Sequence, residues 1–183
     1  FHGSAFFNKR NENFVGTKAG LDGKVPITVT SFDVKQFGAS LGGPIIKNKL
    51  FFFINGEAEK RTDPGTSFVA NNNDGNTAGN ESRTLASDLD ALSAYLKSKF
   101  NYDTGPYQGY SLITKSYKVL AKIDWNINSK NRFSIRYNQL KASRDVPAST
   151  SGAFGGARYN TVNTMNFANN NYEQNNDIYS AIA

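Results

Sequence analysis

The stretch Tyr117–Lys141, Y-K-V-L-A-K-I-D-W-N-I-N-S-K-N-R-F-S-I-R-Y-N-Q-L-K, decides the fold. Its odd positions from Tyr117 are Val119, Ala121, Ile123, Trp125 and Ile127, whereas Lys118, Leu120, Lys122, Asp124, Asn126 and Asn128 between them are mostly polar. A period of two is the signature of a strand, not a helix. After a polar turn at Asn128, Ser129, Lys130 and Asn131 the alternation resumes. Phe133, Ile135 and Tyr137 then lie on one face, and Arg132, Ser134, Arg136 and Asn138 on the other. The pair reads as an antiparallel hairpin with one apolar and one charged face.

Two environments suit such a hairpin. A soluble sheet buries the apolar face in a protein core, and a membrane barrel turns it to lipid with the polar face toward a lumen. Strands of about ten alternating residues match the roughly 9–11 that cross a bilayer, against about 5–6 in soluble sheets. Trp125 and Tyr137 are expected near strand ends, where interfacial aromatic residues sit.

A second hairpin lies earlier in the chain. Phe37, Ala39 and Leu41 alternate with Gln36, Gly38 and Ser40, and Leu50, Phe52, Ile54, Gly56 and Ala58 alternate with residues that include Asn55, Glu57, Glu59 and Arg61. Gly42, Gly43 and Pro44 are expected to break the strand between them, with Asn48 in the reversal. Phe1 to Arg10 reads as another strand, Asn11 to Ser31 as a loop with a short Ile27, Val29 alternation, and Tyr172 to Ala183 as the start of a further strand. The fold class expected is all-β, an antiparallel meander over residues 1–183 that suits a sandwich or part of a transmembrane β-barrel. In a barrel, the long loops at about 62–115 and 142–171, the first carrying a short helix, would be extracellular.

The composition narrows the chemistry. The chain has 183 residues, no cysteine and a single histidine, His2. Disulfides, thiolate metal sites and histidine-based triads therefore have no residues to use. A lone strand histidine is an ordinary surface residue before it is a ligand or base. The net charge of +6 is spread among strand faces and loops, so no nucleic-acid partner is expected. The chain has no apolar run of 18 residues, and a barrel needs none. Glu57 and Glu59 share one strand face, where they read as hydrated and charge-balanced residues, not as a catalytic pair. No enzyme and no cofactor are expected.

The run Q-F-G-A-S-L-G-G-P-I-I-K-N-K-L-F-F-F-I-N-G-E, Gln36–Glu57, resembles the early barrel of outer-membrane TonB-dependent receptors, particularly the Oar-like group. F-H-G-S-A-F-F, Phe1–Phe7, resembles the first barrel strand after the plug of that family, and Asp124–Asn138 resembles a later hairpin. The resemblance implies a piece of a larger transporter, whose signal peptide, coupling box and plug would precede Phe1 and whose later strands would follow Ala183. It implies uptake of a large or scarce solute across the outer membrane of a Gram-negative bacterium. The partners implied are outer-membrane lipid, the TonB complex through the plug, and an extracellular solute. Lumen-facing residues would then include Glu57, Glu59, Lys118, Lys122, Asp124, Arg132 and Arg136. Phe52, Ile54, Val119, Ile123, Trp125, Phe133 and Ile135 would face lipid. A structural or adhesive barrel without active transport, or a secreted β-domain binding carbohydrate or protein, shares the same strand pattern.

The loops add three readings. Asn72, Asp74, Gly75 and Glu81 follow calcium-loop spacing, although Ala70 stands at its first position and cannot ligate. Leu85, Leu89, Leu92 and Leu96 recur at helical spacing, with Ser82 or Thr84 available as a cap, Asp88 and Asp90 near the start and Lys97 and Lys99 near the end. Gly152, Gly155 and Gly156 lack the lysine and hydroxyl of a phosphate loop.

Overall fold

The computed structural model describes residues 1–19, 25–26, 30–75, 79–147 and 160–183. Ten strands and one α-helix occur among them: β1 (His2–Asn11), β2 (Lys18–Ala19), β3 (Val25–Pro26), β4 (Asp33–Ile46), β5 (Leu50–Pro64), β6 (Val69–Asn71), β7 (Glu81–Leu85), α1 (Ala86–Phe100), β8 (Ser111–Asn126), β9 (Arg132–Val146) and β10 (Tyr172–Ile182). They fall into two compact units, one of residues 1–62, 113–144 and 174–183, the other of 63–112 and 145–173.

The first unit holds a six-stranded sheet in the order β1-β4-β5-β8-β9-β10, so that each long strand lies beside the next one in the chain. The hairpin read from Tyr117–Lys141 is present, with Ile123 opposite Ile135 and Trp125 opposite Phe133. In the earlier hairpin Leu41 stands opposite Ile54 and Ala39 opposite Gly56. Partners across an antiparallel ladder share a face, so the apolar faces of both hairpins are continuous within each pair. β8 has 16 residues, about 50 Å of chain at roughly 3.3 Å per residue.

Several boundaries differ from those read in the sequence. Gly42, Gly43 and Pro44 do not break β4, which runs on to Ile46 and turns at Lys47–Lys49, with Asn48 at a φ of 60°. The missing proline donor is absorbed by a register irregularity between Pro44 and Ile46, one of the places where a sheet admits proline. Between the long strands, the connections are 65–110 and 147–171 instead of 62–115 and 142–171, since β5 reaches Pro64, β8 begins at Ser111 and β9 ends at Val146. Backbone pairing continues there after the apolar alternation has stopped. Tyr137 lies within β9 opposite Ala121, not near a strand end. Asn11–Ser31 is not all loop: Asn11 caps a short 3-10 turn at Glu12–Phe14, and β2 pairs with β3. Ile27 and Val29 lie outside the described residues.

The second unit is built by the two long connections together. β6 and β7 pair in parallel, and the Arg83 N–H donates to the Val162 carbonyl at 2.6 Å. Ala168 and Asn169 N–H groups donate to the carbonyls of Pro106 and Thr104. A small core forms from Ala70, Leu89 and Met165, with Phe68, Ala86, Tyr107 and Phe167 packed on it. Only Leu89 of the leucine stripe is buried, and Leu92 is exposed. Helix α1 starts one residue later than its leucine pattern suggests. Its N-cap is Leu85, which makes no side-chain cap bond. Neither Ser82 nor Thr84 caps it, because both belong to β7, where the Ser82 hydroxyl bonds Thr84 Oγ1 and the Val162 carbonyl. Asn101 closes the helix at a φ of 51°, its N–H donating to the Lys97 carbonyl, and Lys97 and Lys99 complement the negative end. Leu89→Ala should destabilise this unit by about 2–5 kcal/mol, and hydrogen exchange should show faster opening at Arg83, Ala168 and Asn169 while the amides of β8 and β9 stay protected.

Candidate functional site

The six-stranded sheet presents two chemically opposite faces. On the polar face, side chains join across four strands at one level: Asn8 Nδ2 donates to Gln36 Oε1 at 3.4 Å, Gln36 Nε2 to Glu57 Oε1 at 3.1 Å, and Lys118 Nζ to the same Glu57 oxygen. Ser4 and Ser40 hydroxyls meet at 2.8 Å, and Lys122 Nζ lies 2.8 Å from Asp124 Oδ1. On β9 the Arg144 Nε donates to Gln174 Oε1 of β10 at 3.0 Å, and Asn138 to Ser180. Ladder register places Lys122 opposite Arg136, Asp124 opposite Ser134 and Asn126 opposite Arg132. Glu59 stands on β5 opposite Gln36. Thus Glu57 and Lys118 meet in one network, Glu59 lies on the same face beside it, and Lys122, Asp124, Arg132 and Arg136 lie along the β8–β9 pair. Side chains this hydrated gain little from pairing, about 0.2–1 kcal/mol for an exposed ion pair, so the network marks a wet surface and not a stabilising core.

The other face carries Ile54, Val119, Ile123, Trp125, Phe133 and Ile135, and it is bare. Ile123 and Trp125 each keep 42% of their surface and Ile54 keeps 47%. Phe52 is half-buried, its ring 6.0 Å from that of Phe1. Among the described residues the buried apolar side chains are Ala70, Leu89 and Met165, all from the second unit. The six-stranded sheet has strands of 14–16 residues at its centre, and among the described residues no buried core lies against its apolar face. In water such a face would drive aggregation; in a bilayer it is the outer surface of a barrel wall.

These features define a membrane-spanning antiparallel sheet of the outer-membrane type. Residues 1–179 match the family model described as an outer membrane beta barrel domain, and the chain belongs to that family, which places it in the outer membrane of a Gram-negative bacterium. No curated protein and no solved structure matches the chain.

The calcium-loop residues are not arranged as a cation shell. Glu81 is buried at the start of β7 and its Oε1 accepts the Asn72 N–H at 3.4 Å. Asn71 Oδ1 accepts the Asn73 N–H, and Ala70 is a core residue whose N–H bonds Gln108. Among the described residues no three His, Cys, Asp or Glu side chains gather to hold a metal. The glycines at 152, 155 and 156 lie outside the described residues. His2 is exposed on β1 opposite Gly42.

The second unit offers an open cleft lined by residues that include Pro106, Tyr110, Asp145, Tyr172 and Glu173. Nearby, the Tyr107 hydroxyl donates to Asp90 Oδ1 at 3.0 Å. Burial first, and then that carboxylate, hold the Tyr107 phenol above its usual range, so it stays a neutral donor. Between β1 and β4, the Glu12 carboxylate accepts its own backbone N–H and that of Phe32, which lowers its pKa. Sequence spacing gave no signal for these contacts or for Asn8 and Gln36, because they depend on which strands become neighbours. Ile123→Lys should lower barrel stability in lipid vesicles by about 2–4 kcal/mol if placed near the bilayer midplane, whereas Lys122→Ile on the opposite face should change it by a few tenths; urea unfolding followed by Trp125 fluorescence checks both.

Proposed function

We propose that this chain is part of the barrel wall of an energy-coupled, TonB-dependent receptor of the Oar-like group, and that the whole protein takes up a large or scarce solute. The observation that carries the reading is the motif order: Phe1–Phe7, Gln36–Glu57 and Asp124–Asn138 resemble successive stretches of that family's early barrel. The polar face, with Glu57, Glu59, Lys118, Lys122, Asp124, Arg132 and Arg136, lines the lumen, and Phe52, Ile54, Val119, Ile123, Trp125, Phe133 and Ile135 meet lipid. The short turns at Lys47–Lys49 and Ile127–Asn131 face the periplasm. The connections at 65–110 and 147–171 face outward, as the long loops of such barrels do. Their mutual packing around Leu89 gives solute contacts a built surface instead of separate flexible loops, and a preformed surface loses less ordering entropy on binding. The protein acts by binding and passage and not by catalysis. Its partners are the outer-membrane lipid, the extracellular solute and, through a plug elsewhere in the protein, the TonB complex.

Two measurements test this reading. The reading frame upstream of Phe1 should encode a plug domain preceded by a coupling segment; a signal peptide joined directly to Phe1 would make the protein a passive, structural or adhesive barrel. Because residues 1–183 contain no cysteine, Ser87→Cys on the exposed side of α1 adds one thiol whose labelling is read against the unsubstituted protein. It should react in intact cells with a membrane-impermeant maleimide, and protection until the outer membrane is opened would invert the proposed orientation.

A further inference from the structure

Ladder register sets a row of lysines across the apolar face of the sheet. Lys9 on β1 stands opposite Lys35 on β4, and Lys35 opposite Lys60 on β5. The β5–β8 pair holds one register along its length. The Gly65 N–H donates to the Tyr110 carbonyl at one end, the Asn126 N–H donates to the Lys49 carbonyl at the other, and Glu57 meets Lys118 between them. That register sets Lys60 opposite Lys115. All four side chains are exposed. Asp33 reaches Lys35 at 3.1 Å, and no carboxylate among the described residues pairs with Lys9, Lys60 or Lys115.

Like charges directly opposite one another destabilise a sheet, and three successive Lys–Lys contacts are the least favourable arrangement for a row of this length. Edge strands carry lysine to block aggregation, but β4, β5 and β8 are interior strands. One step nearer the middle of the same face stand Phe7 opposite Phe37, then Ala58, then Tyr117. Aromatic residues of this kind form the girdle at the edge of the hydrocarbon. A lysine two residues beyond it lies about 7 Å farther along the strand, with a flexible stem that brings its ammonium to headgroup level. The row thus places four ammonium groups where a lipid phosphate would be, the neighbours Lys60 and Lys115 and the outlying Lys9 without a carboxylate and Lys35 beside Asp33.

We propose that Lys9, Lys35, Lys60 and Lys115 form a binding site on the outer barrel wall for the phosphorylated headgroup of an outer-leaflet lipid. The site rests on the loop orientation proposed above. Its acyl chains lie against Phe7, Phe37 and Tyr117, and its phosphates relieve the repulsion among the lysines. A doubly phosphorylated glycolipid spans two or more ladder positions, which one small anion does not.

The test uses the whole protein purified in mild detergent, wild type and with Lys9, Lys35, Lys60 and Lys115 all changed to glutamine. Native mass spectrometry counts bound diphosphorylated disaccharide lipid, its dephosphorylated counterpart and inorganic phosphate, and gel mobility before and after heating confirms that each variant is folded. Wild type should retain the diphosphorylated lipid and not the dephosphorylated one, and the quadruple variant should bind at least about tenfold more weakly. Lys97→Gln with Lys99→Gln on α1 should leave binding intact. Equal retention by wild type and the quadruple variant, or equal retention of both lipids, overturns the site. Displacement of the lipid by millimolar phosphate overturns a lipid as its occupant. The Ser87→Cys label separates the two readings: an external label with no lysine-dependent binding sinks the site alone, whereas an internal label removes the outer leaflet as its source.

Discussion

The register of the β-ladder is the constraint on which everything else depends. In hydrocarbon each backbone N–H and carbonyl needs a partner within the protein, which leaves long paired strands as the economical solution for an alternating sequence. Side chains then fall on opposite faces with a period of two, and a slip of one residue would put Lys122 and Asp124 among lipid tails and Ile123 in water. The register irregularity of β4 lies between Pro44 and Ile46, next to the turn. Placed farther along the strand, the same extra residue would have exchanged the faces of Gln36, Ser40 and Leu41.

The two units obey different physics. The sheet has almost no buried side chain, and its apolar surface is stabilised only by being left against lipid. The unit formed by the long connections behaves as a small aqueous domain. Its core residues Ala70 and Leu89 come from β6 and α1 of the first connection and Met165 from the second, so the core draws on both. The side chain of Ser82 is almost fully buried yet satisfied by Thr84 and the Val162 carbonyl, which ties the first connection to the second. Among the described residues no buried side-chain polar atom lacks a partner.

What was legible in the sequence follows from locality. The alternation at Tyr117–Asn126 and Arg132–Tyr137 identifies strands, their faces and their short turn, because each of these depends on residues a few positions apart. The leucine spacing from Leu85 likewise marks α1. Failures arose where a local rule met a distant partner. Gly42, Gly43 and Pro44 look like a break until β5 pairs alongside them, and Ser82 looks like a helix cap until Val162 draws it into β7. The polar network from Asn8 through Gln36 and Glu57 to Lys118 has no sequence signature at all, since its members are separated by 28, 21 and 61 positions.

The register also restricts one kind of basic residue: Lys118 and Lys122 share the polar face with the arginines, whereas among the described residues no arginine of the six-stranded sheet falls on the apolar one. The arginines of the six-stranded sheet, Arg10, Arg61, Arg132, Arg136 and Arg144, all fall on the polar face, as their ladder partners and parity require. Lys9, Lys35, Lys60 and Lys115 all fall on the apolar one. The division follows from their chemistry. A planar guanidinium has five donors in a rigid fork and is best used among fixed acceptors, as when Arg144 meets Gln174. An ammonium on a four-carbon stem covers apolar surface with the stem and carries its charge to the headgroups. Arginine on this apolar face would bring a larger polar group with more donors to satisfy at the hydrocarbon edge, and lysine limits that cost. Arginine is therefore kept to the polar face, whereas lysine serves on both.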